Sequence, residues 1–253
     1  MTEPRQATVK VTPPLPMSAW AHGRYARLLY LLDRSLDKLT FGCARLHVYV
    51  FCAQPIGVGA FSGIRDDPHT VVQKVASDSL LTGSFPRPSK VIHERFMHGS
   101  ACYAATVRGV FAGFIWLARG AYEEDEVRCR YMLHPNHESV WDFDVYVEPR
   151  LRLGRTLGRL WRAVDTALKE QGVRWSISRI SLFNPGSIQA HERLGVVHLA
   201  SGAFLTLGPL QLSLFSKAPF AHLSVGPAWR PAIALTPPPP APELHARNMR
   251  PRP

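Results

Sequence analysis

The stretch from Val140 to Gly195 leaves this chain little freedom, because it joins a strict two-residue alternation to an amphipathic helix and then adds a second strand and helix. From Trp141 to Glu148, the residues Trp141, Phe143, Val145 and Val147 fall on one face of an extended segment. Asp142, Asp144, Tyr146 and Glu148 fall on the other, as in a strand. Pro149 ends it. Beyond it, Leu153, Leu157, Leu160, Trp161, Val164 and Leu168 recur at three- and four-residue steps, which predicts a helix ending near Gly172 with its apolar stripe on a sheet. Arg150, Arg152, Arg155 and Arg159 crowd around Gly154 and Gly158 at its start, where backbone N–H groups and the positive end of the helix dipole attract anions. This turn reads as a phosphate site or as a solvated basic helix start. Val173 to Phe183 predicts a second strand, Asn184 an N-cap, Pro185 a first helical residue and Gly195 the close of a short helix.

In the order strand, VEPRLRLGRTLGRLW, strand, SLFNPGSIQAHERLG, the chain resembles the GNAT superfamily of acyl-CoA-dependent N-acyltransferases over roughly residues 45 to 215. The resemblance implies an α+β fold, with a mixed, mostly antiparallel central sheet of about six to seven strands flanked by helices. In that family the fourth strand splays from the fifth and the pantetheine arm of the donor lies between them. The donor implied is acetyl-CoA or another acyl-CoA. Its pyrophosphate would be held by the turn after the fourth strand, through Arg152, Gly154, Arg155, Thr156, Leu157, Gly158 and Arg159, with Asn184 at the end of the fifth strand. The family's turn pattern is R/Q-x-x-G-x-G/A. With Gly158 in its last place, Leu153 stands where the pattern has Arg or Gln, and Thr156 where it has its first Gly. HERLGV occupies the place of Tyr-x-x-x-Gly-Phe, so His191 replaces the tyrosine that commonly protonates the departing thiolate and Val196 replaces the phenylalanine.

Direct acyl transfer from a thioester to an amine needs the amine deprotonated, the carbonyl polarised and the thiolate protonated. The resemblance implies that backbone amides from Val145 to Val147 polarise the carbonyl. Asp144 and Asp142 are the candidate bases, against the alternative of structural salt bridges to Arg128 or Arg130. His191 is the candidate acid, since an imidazole donates a proton near neutral pH, and Tyr146 is the reserve. The implied activity is transfer of an acyl group, in the first place acetyl, to an amine of a small metabolite or amino sugar. Two other classes stay open: a GNAT-like protein that binds acyl-CoA without turnover, and a basic nucleic-acid-associated protein. The departures at Leu153, Thr156 and His191 speak for the first. Arginine content alone speaks for the second: a formal charge of +11 favours anionic partners. No helix-turn-helix, zinc or aromatic-sheet motif of a sequence-specific reader is visible, so no specific nucleic acid is expected.

The rest of the chain sets the organisation. Residues 1–17 are polar and proline-bearing and are expected to be disordered, residues 18–222 to form one domain, and residues 223–253 a proline-rich mobile tail. Tyr25, Leu28, Leu29, Leu32, Leu36 and Leu39 form a stripe on a basic helix between Trp20 and Leu39, read as capping the core. Such a helix also leaves peripheral membrane contact open. Leu46–Ala53 predicts a strand, Val71–Leu81 and Ser89–Met97 helices, and Ala101 to Ala118 a hairpin turning at Arg108 and Gly109. A further strand is expected over Tyr122–Met132. The last two, VVHLASGAFLTLG and LQLSLFS, join at Gly208 and Pro209. Cys43, Cys52, Cys102 and Cys129 form no C-x-x-C pair and read as small core residues of a reducing compartment. His134 and His137 are three apart with no third ligand in register, so no metal is expected. With no signal-peptide core and no long apolar run, the expectation is a soluble cytoplasmic protein.

Overall fold

The computed structural model describes residues 24–226 and 228–239. The expected disordered segment 1–17 and residues 240–253 of the expected tail lie outside the described residues. In chain order the elements are α1 (Arg24–Leu39), β1 (Ala44–Pro55), β2 (Thr70–Val75), α2 (Ser89–Met97), β3 (Ala101–Val107), β4 (Val110–Arg119), β5 (Ala121–Glu123) and β6 (Arg130–Leu133). Then follow β7 (Ser139–Val147), α3 (Thr156–Glu170), β8 (Trp175–Ser181), α4 (Pro185–Arg193), β9 (Val197–Leu207), β10 (Leu210–Phe215), β11 (Ala221–Val225) and β12 (Ala232–Leu235).

The main sheet has nine strands in the order β11-β10-β9-β1-β8-β7-β4-β3-β2, more than the six or seven expected. Every neighbouring pair in it is antiparallel except β7 and β8. The long β1 carries an apolar run buried on both faces, as a central strand must. One sheet face is covered by α2 at the β3–β4 end, where Phe85 and Ile92 meet Phe114 and Trp116. The rest of that face lies under a second sheet, β12-β6-β5, whose Tyr131, Leu133, Ile233 and Leu235 pack on Phe51, Trp141 and Phe204. The opposite face takes α3, with Leu160, Trp161, Val164 and Leu168 against Ile115 and Val140. Ala26 of α1 and Ile188 of α4 pack on Val50, Cys52 and Ile180 of the same face. Among the described residues no helix is long and apolar enough to cross a membrane.

Four expectations are corrected. Thr70–Val75 is an edge strand on β3, not the start of a helix, because β-branched Val71, Val72 and Val75 suit a pleated surface. Tyr122–Met132 is two short strands, since the acidic turn folds β5 back on β6. The tail begins with order: β11 extends the main sheet, and β12 runs parallel to β6 with Ile233 and Leu235 fully buried. Cys52, Cys102 and Cys129 are buried as expected, but Cys43 is exposed.

The leucine stripe of α1 caps the core only in part: Leu29 packs on the Val50–Ile180 cluster, while much of the stripe turns outward. The helix buries Ala26 and Asp33, whose carboxylate accepts a hydrogen bond from the Leu46 backbone N–H at 3.0 Å, and leaves Tyr25, Leu28, Leu32 and Leu39 exposed. Leu28 is 61% exposed and Leu32 48%, against 0% for Leu160. Leu28→Ala and Leu32→Ala are each expected to change unfolding free energy by less than about 0.5 kcal/mol. Leu160→Ala should cost about 2–5 kcal/mol. Urea unfolding of the three variants checks this, and a Leu28 or Leu32 cost near that of Leu160 would return the stripe to the core.

Candidate functional site

The site begins where the parallel β7–β8 pair, the only one in the main sheet among the described residues, ends. β7 and β8 align at Ser139–Trp175, Val140–Ser176 and Trp141–Ile177, and nowhere beyond. After these pairs β7 stays with β4 as far as Val147 opposite Gly113, while β8 stays with β1 as far as Ser181 opposite Tyr49. A wedge-shaped gap therefore opens between two strands that each remain anchored on their far side. A bulge in β7 accompanies it. Asp142 faces Leu117 and Asp144 faces Trp116, so Phe143 is an extra residue between two successive residues of β4.

The bulge divides the polar face that the sequence alternation predicts. Asp142 shares the α3 face with Leu117, and Asp144 shares the α2 face with Trp116. Asp142 is buried, and Ser176 Oγ–H donates to its Oδ2 at 2.7 Å. Burial pushes its carboxyl up to about 6, with the Ser176 hydrogen bond and the His191 charge pulling the other way. His191 lies in the last turn of α4, where Nδ1 is 2.8 Å from the Ser187 carbonyl oxygen. That oxygen can only accept, so Nδ1 carries a proton and Nε2 is the nitrogen left for chemistry. Asp142 and Ser176, a residue that sequence reasoning did not single out, thus meet on the α3 face, and the His191 charge acts on the Asp142 carboxyl.

Asp144 and Tyr146 do not join them. Arg87 Nε and Nη2 donate to the two Asp144 oxygens at 2.9 and 2.7 Å, and Arg95 Nη1 donates at 2.7 Å. Both Asp144 oxygens are taken by guanidinium groups, which leaves neither free for the role of base expected of it. Its ion pairs come from the α2 side, not from Arg128 or Arg130. Tyr146 packs beside Phe111 and Phe114, and its hydroxyl donates to Glu148 at 3.3 Å.

At the wide end of the gap the chain turns through Pro149–Leu151 into α3. Arg159 N donates to the Arg155 carbonyl at 2.9 Å and starts the helical ladder, which leaves the N–H groups of Thr156, Leu157 and Gly158 without a partner four residues back. Gly154 N donates to Leu151 O, and Arg152 Nε donates to Val147 O at 3.0 Å. Leu157 is exposed and Thr156 buried; Arg150 and Arg155 are exposed. Three residues expected at the donor site are engaged elsewhere, Asn184 in the N-cap that the sequence also predicts. Arg159 turns to the preceding loop, pairing with Asp67 at 3.0 Å and donating to Arg65 O. The space beside Gly158 is filled by Ile64. Asn184 Oδ1 accepts from Ser187 N at 3.1 Å, so its side chain caps α4.

A cavity of about 260 Å³ opens beside the gap, lined by both Asp142 and Asp144. Its walls are Arg87 and Arg95, the turn from Tyr122 to Glu126, Trp141 to Asp144, and Arg179. Arg179 donates from Nε and Nη2 to Glu124 at 2.5 and 2.9 Å, lies 4.3 Å from the Tyr49 ring centre, and pairs with Glu126 at 3.0 Å. The Tyr49 hydroxyl donates to Glu126 at 2.5 Å. Burial pushes the Asp125 carboxyl above its ordinary range, and the neighbouring Glu124 charge adds to the shift. Sequence reasoning missed this cavity. The available signals were an arginine inside the apolar alternation WSISRIS and four consecutive acids after a short strand.

No family model and no curated protein matches the chain. Among solved structures it is similar to a conserved protein of unknown function from Staphylococcus epidermidis, at 10% identity over 70% of this chain and 68% of that one, with a TM-score of 0.45. It is similar to a protein assigned to the GNAT acetyltransferases from Novosphingobium aromaticivorans, at 17% identity over 64% of each chain, with a TM-score of 0.44. A third, AAC(6')-Iy bound to a bisubstrate analogue, shares 20% identity over 50% of this chain and 90% of its own, with a TM-score of 0.39.

Proposed function

We propose that this chain is an acyl-CoA-dependent N-acyltransferase, taking its acyl group from CoA in the gap between β7 and β8 and delivering it to an amine in the neighbouring cavity. The observation that supports this reading is the parting of β7 from β8 after three pairs, with the opening leading to the first turn of α3. An extended pantetheine chain suits a slot walled by two strands. Its phosphates suit the N–H groups of Thr156, Leu157 and Gly158, with Arg150, Arg152 and Arg155 supplying charge nearby.

The bound donor supplies a thioester carbonyl, the electrophile. Backbone amides between Val145 and Val147 are the proposed donors to its oxygen, on a part of β7 that β8 has left. Asp142, with a carboxyl raised toward neutrality by burial, is the proposed acceptor of the amine's proton, directly or through water. Ser176 orients it. His191, in its imidazolium form with Nδ1–H kept on the Ser187 carbonyl, is the proposed donor of its Nε2 proton to the leaving sulfur, which leaves the neutral Nδ1–H ring.

Thermal melts with CoA, acetyl-CoA and longer acyl-CoAs test the donor site. At a hundredfold excess over Kd, a ligand of the native state is expected to raise Tm by about 5 °C or more. No shift with any of them sinks the reading. A shift without CoA release in the presence of any amine would leave a protein that binds acyl-CoA without turnover.

A further inference from the structure

The last strands of the main sheet are turned the wrong way round for a surface that meets only water. In β10 the buried positions are Gln211, Ser213 and Phe215, and the exposed ones are Leu210, Leu212 and Leu214. Gln211 is 1% exposed and Ser213 and Ser224 are fully buried, while Leu212 is 40% exposed, Leu214 49% and Leu223 57%. A slip of one residue would exchange the two faces, but Gln211 holds the register. Its Oε1 accepts from the Arg128 N–H at 2.7 Å, and its Nε2 donates to the Arg128 carbonyl and to Ser213 Oγ, each at 2.8 Å. Cross-strand pairing then sets the outward residues of β9, β10 and β11 in three rows. Leu207, Leu210 and Val225 form one, Leu205, Leu212 and Leu223 the next, and Ala203, Leu214 and Ala221 the third. Ala203 is half-buried and the other eight are exposed, with no polar or charged side chain among the nine.

A sheet with one face in water carries its polar residues on that face, so an apolar outer face over a polar inner one calls for a cover. The six leucines and Val225 present about 600 Å² of apolar surface at these exposures, the upper end for the largest patch of a typical monomer. Two such patches together bury about 1,200 Å², the area at which specific, stable interfaces begin. An anionic lipid surface or an acidic peptide finds no Lys or Arg among the nine positions to pair with. A second copy brings a face that is equally flat, equally apolar and equally free of charge, and a twofold axis sets the patch against itself. We propose that the chain forms a homodimer in which the β9–β11 leucine faces of two copies pack on each other, sheet on sheet with their side chains interleaved. The gap between β8 and β7 is separated from β9 by β1, so this interface does not depend on the acyltransferase reading.

Sedimentation velocity on the full chain is the test. At about 50 μM the expected species has twice the 28.2 kDa mass of one copy, since interfaces of this size hold with Kd values of about 1 μM or below. Leu212→Glu, in the middle row of the middle strand, puts a charge at the centre of the patch and should weaken the dimer about a hundredfold or more. Val71→Glu on β2, 54% exposed at the opposite edge of the sheet, should leave it unchanged. Melting temperature is the folding control. Leu223→Lys, at a position 57% exposed, repeats the test should Leu212→Glu fold poorly. A chain that stays monomeric at this concentration overturns the proposal, as does a dimer that persists in folded Leu212→Glu or Leu223→Lys protein. Flotation with vesicles of phosphatidylcholine, alone and with phosphatidylserine, covers the other occupant. A monomer that floats with vesicles and loses this on Leu212→Glu would assign the face to a lipid surface and overturn the dimer.

Discussion

Asp142→Asn is expected to make the protein more stable at pH 8 while it slows acyl transfer. Asp142 is buried, and its carboxyl in the folded chain sits near 6, above the ordinary 3.8. Between about pH 4 and 6 the folded chain therefore keeps a proton that the unfolded chain has lost. The stability this proton brings is fully present below about pH 4, declines as pH rises through 6, and is gone by about pH 7.5. That rise corresponds to about 3 kcal/mol between those limits. Asparagine keeps an oxygen for Ser176 Oγ–H to meet and cannot ionise, so the variant should show a flat profile over this range. Urea unfolding at pH 5 and pH 8 measures the difference, and the same slope in both proteins would show that Asp142 is not the buried charge that matters. The second half of the result is kinetic. An amide cannot accept the amine's proton, so CoA release should fall even as stability at pH 8 rises, the exchange expected where a strained group serves chemistry.

The parts of the site legible in the sequence are those whose signals are local. Asn184, Pro185 and Gly195 announce α4 because a cap, a fixed φ and a left-handed residue act on their own neighbours, and the structure has Asn184 capping, Pro185 at the helix start and Gly195 at φ 74°. The hairpin turn was equally readable, with Arg108 and Gly109 both at positive φ. The bulge at Phe143 was not. WDFDVYV alternates without a break, and the extra residue exists only because β4 pairs on both sides of it. From that single nonlocal event follow the separation of Asp142 from Asp144 and the error over which carboxylate is available. β11 and β12 escaped for a related reason, since AHLSV and AIAL are too short to show periodicity and gain their order from β10 and β6. The cavity charges come from four separate segments that only the sheet order brings together.

The same contrast between local pattern and tertiary approach makes Gly113 matter more than the glycines of the α3 turn. Gly113→Ala is expected to lower unfolding free energy by about 3 kcal/mol and to weaken acyl-CoA binding with it. Gly113 lies opposite Val147, and a Cβ on it would drive into the Tyr146 carbonyl oxygen and stand 3.2 Å from Val147 Cα. Both are backbone atoms in a ladder, so relief requires the end of β7 to move off β4, toward the gap that the donor is proposed to fill. Gly158 is different. A Cβ there would stand 2.9 Å from Ile64 Cδ1, the tip of a side chain that can rotate away, and alanine is the better helix residue by about 0.5–1 kcal/mol. Gly158→Ala should thus be near neutral in stability and keep its N–H for phosphate. Urea unfolding and the acetyl-CoA thermal shift on both variants decide the matter. A Gly113→Ala protein as stable as the parent would mean that β4 and β7 can separate there at little cost, and equal loss of donor binding in both variants would restore the turn glycine to the central place its sequence position suggests.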